Sequence, residues 1–204
     1  MARRIFQKLD YFFFGYLINI LYPEYYRPKY GYIRYSTLFF KYYIPQKIFR
    51  LNPTVKWPVH FTSKVVAPEN IKKGILCDPG DNYNNYIQAT NGIVFGSNIE
   101  IGPGTNIISS NHDFSDFYKQ SKAKPITIGD NVWIGCNCVI LPEVNIGSNV
   151  IIGAGSIVTK DIPSNTISVG NPCKVIKSKK PHTEGFSNIT FNKKIPEEYL
   201  EFLK

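Results

Sequence analysis

Of the three histidines in this 204-residue chain, His112 stands in "SSNHDF", residues 109–114, a polar stretch that breaks an otherwise regular aliphatic run. A neutral imidazole, with a reference pKa of about 6.5, can take the proton from a hydroxyl as its oxygen attacks an electrophile. A lone exposed histidine more often has no chemical role, so its meaning depends on what surrounds it. Asp113 and Asp116 lie near enough in sequence to influence the ring. Downstream, "WIGCNC" carries Cys136 and Cys138, yet no serine or cysteine is paired with a base in a way that suggests a covalent acyl-enzyme. Lys160, Lys174 and Lys177, further downstream, each read alone as a surface charge. "DNYNNY", residues 81–86, is rich in asparagine and tyrosine and reads as a corner.

The elements that must position these groups follow a beat of six. An aliphatic or aromatic residue recurs at Phe95, Ile101 and Ile107, and again at Ile128, Ile134, Ile140, Ile146, Ile152 and Val158. Glycine directly follows most of them, and Asn or Gly often stands three places on. Such a period suits neither an amphipathic helix nor a hairpin sheet. It suits a short strand with two inward residues two apart, then a corner whose Asn or Gly tolerates unusual backbone angles. Repeated, it builds a solenoid of stacked parallel rungs. Cys138 falls on an inward slot and is expected to fill space. From Ile107 to Ile128 the chain has fifteen more residues than the beat requires, so this insertion must bulge outwards, carrying His112 with it. Residues eighteen apart should stack, giving one column of Trp133, Ile151 and Val169 and another of Cys136, Ala154 and Pro172. Trp133 lies between two inward residues and should point outwards, to pack on a subunit or touch a ligand.

The run "VWIGCNCVILPEVNIGSNVIIGAGSIVTKDIPSNTISVGNPCKVI" resembles the hexapeptide-repeat acetyltransferases, close to the galactoside, maltose and streptogramin enzymes and most like polysaccharide O-acetyltransferases. The resemblance implies a mainly β protein, a left-handed parallel β-helix over residues 60–177 with a protruding loop at 108–125. An aromatic-rich helical extension would occupy 1–59 and a short helical tail 178–204. It implies a homotrimer with sites between subunits, acetyl-CoA as co-substrate, no metal, and a carbohydrate hydroxyl as acceptor. His112 would be the general base and the Cys136 backbone amide the oxyanion donor, with the thiol a bystander. The cofactor would lie along Trp133, Gly135, Gly153, Ala154, Thr159 and Pro172, its phosphates near Lys160, Lys174 and Lys177. Acceptor binding would fall to Asn82 or Asn84, with Asp113 nearby. The longer loop of the galactoside and maltose enzymes, with its downstream glutamate, has no counterpart here.

The bulk numbers are compatible with this reading. A net charge of +9 and a pI near 9.3 suit an anionic partner. The basic residues are scattered and no nucleic-acid motif is present, which argues against nucleic acid. Four cysteines without a CxxC pair read as reduced thiols of a cytoplasmic protein. The apolar run Tyr11 to Tyr22 is too short to span a bilayer and lacks a small-residue cleavage site, so no signal peptide is expected. The aromatic segment before residue 50 either packs on the main domain or a sister subunit, or lies in the plane of a membrane as a peripheral anchor at its inner face. In the C-terminal tail, "IPEEYLEFLK" has a helix-start pattern. Three competing functions are weaker. Acetylation of an amino-sugar nucleotide or antibiotic differs only in its acceptor, a zinc carbonic anhydrase would need converging histidines, and an inert scaffold would have little use for the histidine loop.

Overall fold

The computed structural model describes residues 2–31, 33–182, 186 and 188–203. Short strands wind into a triangular prism with three faces. The first face stacks β1 (Lys64–Val66), β3 (Tyr86–Gln88), β6 (Asn106–Ile108), β9 (Val139–Ile140) and β12 (Ile157–Val158). The second stacks β2 (Ile71–Lys73), β4 (Ile93–Phe95), β7 (Ile126–Ile128) and β10 (Asn145–Ile146). The third stacks β5 (Ile99–Ile101), β8 (Val132–Ile134), β11 (Val150–Ile152), β13 (Thr166–Val169) and β14 (Lys174–Ser178). Every pairing is parallel except the last, where β14 runs antiparallel to β13.

The beat of six appears directly as burial. Ile107, Ile134, Ile140 and Ile152 are fully buried, and Ile128 and Ile146 nearly so. Cys138 fills an inward slot at 0% exposure, as its place in the beat requires. A three-residue strand presents two inward side chains about 7 Å apart, so each face needs only one short hydrophobic pair per rung. The corners between the second and third faces turn on Asn98, Asn131 and Asn149, all with positive φ, where asparagine tolerates the left-handed backbone. Their amides ladder upwards: Asn98 Nδ2 donates to Asn131 Oδ1, and Asn149 Nδ2 to Asn165 Oδ1.

The rungs below the inserted loop are wider than eighteen residues, with Lys64 on Tyr86, Ile71 on Ile93 and Tyr86 on Asn106, and above the loop one rung is narrower. Val139 and Ile157 pair eighteen residues apart, but Ile146 pairs with Ile162, only sixteen apart. The corner Leu141–Val144 has shrunk to Thr159–Lys160. Above it every column is shifted by two, so Ile151 stacks under Ile167 rather than Val169. Trp133, Ile151 and Ile167 form the real column, and Pro172 does not stack on Ala154; Gly153 donates to Ser168 O beneath Val169.

The extension packs as helices. α1 (Ala2–Asp10), a π-helical turn (Tyr11–Gly15) and α2 (Tyr16–Leu21) form one continuous stretch, and α3 (Tyr35–Thr37) continues into a second π-helical stretch, Leu38–Ile48. Ile18, Tyr22, Tyr25, Tyr35 and Leu38 make a small core of their own. The coil's core reaches ahead of its first strand to Val55, Trp57 and Val59, and Trp57 Nε1 donates to Pro79 O. Arg27 fastens the extension to the prism. Its guanidinium meets Asp78 at 2.8 Å, Glu100 at 2.9 Å and Asp81 at 3.7 Å. Burial pushes the Asp81 carboxyl up to about 7, against the pull of Arg27.

The tail differs from the helix expected of "IPEEYLEFLK". It makes a single 3-10 turn, Glu197–Tyr199. Ile195 is buried, Tyr199, Phe202 and Leu203 pack against Ile75 and Leu76, and Tyr199 Oη donates to Lys73 O. These anchors hold the chain to the base of the prism in place of a regular helix.

Candidate active site

The inserted residues leave the prism at the corner between the first and second faces, after β6, and return at β7. They form a small hairpin. His112 bridges to Gln120, Asp113 N donates to Lys119 O, and Ser121 N donates to Asn111 O. Gln88 Oε1 accepts from Ser110 N at the loop's root. The His112 ring is exposed, with no hydrogen bond to the described residues. Asp113 does not reach it. Its Oδ1 accepts from Ser115 N at 2.7 Å, Ser115 Oγ at 2.5 Å and Asp116 N at 3.2 Å, bonds that hold its carboxyl below the usual range. Asp116 is paired with Lys119 at 3.0 Å. Three aromatics crown the hairpin in solvent: Phe114, Phe117 and Tyr118.

A second set of residues gathers at the corner between the third and first faces. Gly102 and Pro103, Gly135 and Cys136, and Gly153 and Ala154 lie on successive rungs there. The spacing is tight. A Cβ added to Gly102 would lie 2.6 Å from Cys136 N, and one added to Gly135 would lie 2.5 Å from Ala154 N, so neither place admits a side chain.

The amides of this corner differ from those of the next. At the corner between the second and third faces, Ser97 N donates to Asp130 Oδ1, Asp130 N to Ser148 Oγ, and Ser148 N to Ser164 Oγ. Each rung's side chain satisfies the amide below it. Ala154 has no such oxygen, nor does glycine above it. The N–H groups of Cys136 and Ala154 accordingly have no acceptor among the described residues. A backbone N–H held at a solvent-facing corner is a ready donor for an oxygen from outside the chain.

Trp133 is 58% exposed, centred on the third face between Glu100 and Ile151. Beside it lies a cavity of 260 Å³ to which Asn131, Lys179 and His182 contribute. Lys174 pairs with Val169, and Lys177 with Ile167 at the top of the Trp133 column; both lysines are exposed. Thr159 and Lys160 fall elsewhere, on the shortened corner between the first and second faces, the edge that also carries the His112 loop. Pro172 lies in the turn after β13, joined to Asn171 by a cis peptide bond. The chain therefore brings Trp133, Gly135, Cys136, Gly153, Ala154, Lys174 and Lys177 to one side of the prism, and His112, Thr159 and Lys160 to another.

Asn82 and Asn84 lie one rung below Gly102–Gly104. Asn82 Nδ2 donates to Ile101 O at 2.8 Å, and Asn84, at φ 58°, takes a corner with its N–H on Thr62 Oγ1. Asn85 is the buried member of the group, and its Oδ1 has no partner. Its burial follows from its place one residue before β3, which the aromatic-rich corner disguised. Lys179 and His182 were also not singled out by sequence; both follow β14, beyond the repeat, where the beat carries no signal for them. Among the described residues, no His, Cys, Asp and Glu side chains gather into a metal site.

Comparison with known proteins agrees with this architecture. Residues 125–160 match the family model "Bacterial transferase hexapeptide (six repeats)". The chain is 43% identical over 99 residues to the galactoside O-acetyltransferase of Escherichia coli, covering 47% of this chain and 49% of that protein. It is 44% identical over 106 residues to a putative acetyltransferase of Saccharomyces cerevisiae, covering 48% and 54%. A hexapeptide-repeat acetyltransferase from Vibrio cholerae, solved in complex with acetyl coenzyme A, is 29% identical with a TM-score of 0.50, covering 58% of this chain and 69% of that one. The chain spans about half the length of the curated relatives it matches. The repeat region is thus similar to the hexapeptide-repeat acetyltransferases, and its stacked parallel strands form the left-handed parallel β-helix expected from that resemblance.

Proposed function

We propose that the chain is an acetyl-CoA-dependent O-acetyltransferase that acts on a hydroxyl of a carbohydrate, a surface polysaccharide or its precursor. The observation that carries this reading is the corner bearing Cys136 and Ala154, whose N–H groups have no acceptor among the described residues and stand beside an exposed tryptophan. Those residues fit acetyl-CoA: two amide donors for carbonyl oxygens, the Trp133 ring for the apolar part of the arm, and Lys174 and Lys177 for phosphate. Similarity to a galactoside O-acetyltransferase supports the hydroxyl acceptor.

Acetyl-CoA supplies an acetyl group activated as a thioester. His112 would take the proton of the acceptor hydroxyl as its oxygen attacks that carbonyl carbon, since an alcohol is a poor nucleophile near neutral pH. The Cys136 N–H would hold the negative oxygen that develops, where a fixed donor needs no reorganisation. His112 would then return its proton to the departing sulfur. Asn82 and Asn84, two rungs below the Cys136 donor, would bind the acceptor, with Asp113 shaping the loop.

His112 and Cys136 lie on different edges of one prism, at opposite ends of the first face. A site built from both is completed by a neighbouring chain, which is the reason for proposing a homotrimer. The exposed Phe114, Phe117 and Tyr118 beside His112 suit packing against that neighbour. The four cysteines are all free thiols, which supports a cytoplasmic setting.

The test is His112→Ala with acetyl-CoA and a panel of sugars and nucleotide sugars, products read by mass spectrometry. Turnover should fall by about two to four decades, with acetyl-CoA affinity little changed. Near-normal turnover on the true acceptor would remove the central claim.

A further inference from the structure

The helical stretch over residues 2–21 is apolar on two opposite faces. One face supplies Tyr11, Phe14, Ile18 and Tyr22 to the extension's small core. The other carries Ile5, Leu9, Phe12, Phe13, Tyr16 and Ile20, spaced by three or four residues and all exposed. A helix hydrophobic on both sides is normally covered on both sides. Here the chain covers only one, and a contiguous aromatic and aliphatic stripe is left in solvent. Phe40, also exposed, extends the apolar surface from the second helical stretch, with its ring 5.8 Å from that of Phe14.

Charge identifies the occupant. Ten of the chain's 24 Lys and Arg residues, but only two of its 15 acidic residues, fall within residues 1–56. Both acids are engaged: Asp10 accepts from the backbone N–H groups of Tyr35 and Ser36, and Glu24 pairs with Lys56. A second copy of the same surface would bring two strongly basic segments together. An anionic lipid surface would offer the opposite charge and an apolar interior to the same stripe.

We infer that residues 2–21 form an in-plane anchor that sits on an anionic lipid bilayer, its Phe12–Phe13 side in the acyl boundary and its flanking basic residues among the headgroups. At 1.5 Å per residue the anchor lies along about 30 Å of surface. No helix among the described residues is long and apolar enough to cross a membrane, and the stripe occupies a single side of its helix, as in-plane seating requires. The transferase reading is independent of this surface. If both hold, the acceptor is a glycan presented at the membrane.

The full chain is mixed with vesicles of phosphatidylcholine alone, and with vesicles of phosphatidylcholine and phosphatidylglycerol in equal parts, then sedimented at low and high salt. Binding is expected only to the anionic vesicles and should weaken as salt rises. Phe12→Asp with Phe13→Asp, at side chains 76% and 67% exposed, should lower partitioning by at least about tenfold. The melting temperature, the acetyl-CoA affinity and the mass by light scattering should stay unchanged. Full-length protein that ignores anionic vesicles overturns the inference. A double variant whose oligomer dissociates overturns it as well, because the stripe would then be an interface between copies. Activity on a soluble acceptor, measured in the same variant, fails only if the transferase reading fails.

Discussion

At the scale of single residues, the decisive contrast lies between two corners of the same prism. Where serine and aspartate oxygens stand above each rung, backbone amides are satisfied; where glycine and alanine stand, the amides of Cys136 and Ala154 face outwards. The contrast yields a clean substitution. Pro103 already occupies, one rung down, the place that Cys136 holds, so Cys136→Pro removes the N–H with a residue this corner accepts. Activity should fall by about two to three decades while the thermal unfolding profile is kept, as expected for loss of one donor at a developing oxyanion. Cys136→Ser, which keeps the amide, should stay active. If both variants behave alike in a steady-state assay, the amide has no part in the reaction. Sequence alone led to His112 and to the glycines by spacing. It did not lead to Asn85, whose amide bonds Gly102 O on the next rung, or to the Asp113 turn within the inserted hairpin, because both rest on contacts that spacing does not encode.

At the scale of elements, the six-residue beat accounts for every inward position from Phe95 to Val158. The stacking it predicts holds until two residues are lost at Thr159–Lys160. The shift was readable in principle, since the next buried aliphatic is Ile162 rather than residue 164. Extrapolating a regular column across that corner gave Val169 and Pro172 places they do not hold. The tail was less legible because it settles by long-range packing on Ile75 and Leu76, which no local pattern encodes. The joint between extension and prism carries its own expectation. Asp78, whose side chain is 1% exposed, relies on Arg27 at 2.8 Å and on Lys73 at 3.4 Å. Arg27→Ala should lower unfolding stability by about 3 kcal/mol, because removing one partner strands a buried charge. Urea denaturation would register this as a lower midpoint; an unchanged midpoint would mean that the extension is not fastened there.

At the scale of the whole molecule, the candidate groups are divided between two edges. One carries the donor corner and Trp133, and the other carries the histidine loop with Thr159 and Lys160. Light scattering of the full chain should give the mass of a trimer, and an active monomer would dispose of the shared site. Mixing offers a stricter check. His112→Ala and Cys136→Pro are each expected to be nearly inactive alone, yet mixed trimers pair an intact loop from one chain with an intact corner from another. Partial recovery of activity after subunit exchange is the expected result; none, with exchange verified by mass, would place both residues in a single-chain site.

The reversal of β14 has a bearing on what this molecule avoids. A stack of parallel rungs has open ends, and an open parallel rung is a template on which another coil could continue the stack indefinitely. Here the top of the third face is occupied by an antiparallel strand with exposed Lys174 and Lys177, while the turn at Gly170 and Cys173 takes up the last hydrogen bonds of β12. The other end is plugged by Val55, Trp57 and Val59 under the helical extension. A fold whose logic is repetition is thereby kept finite, and growth into a fibre is closed off at both ends by segments that abandon the repeat.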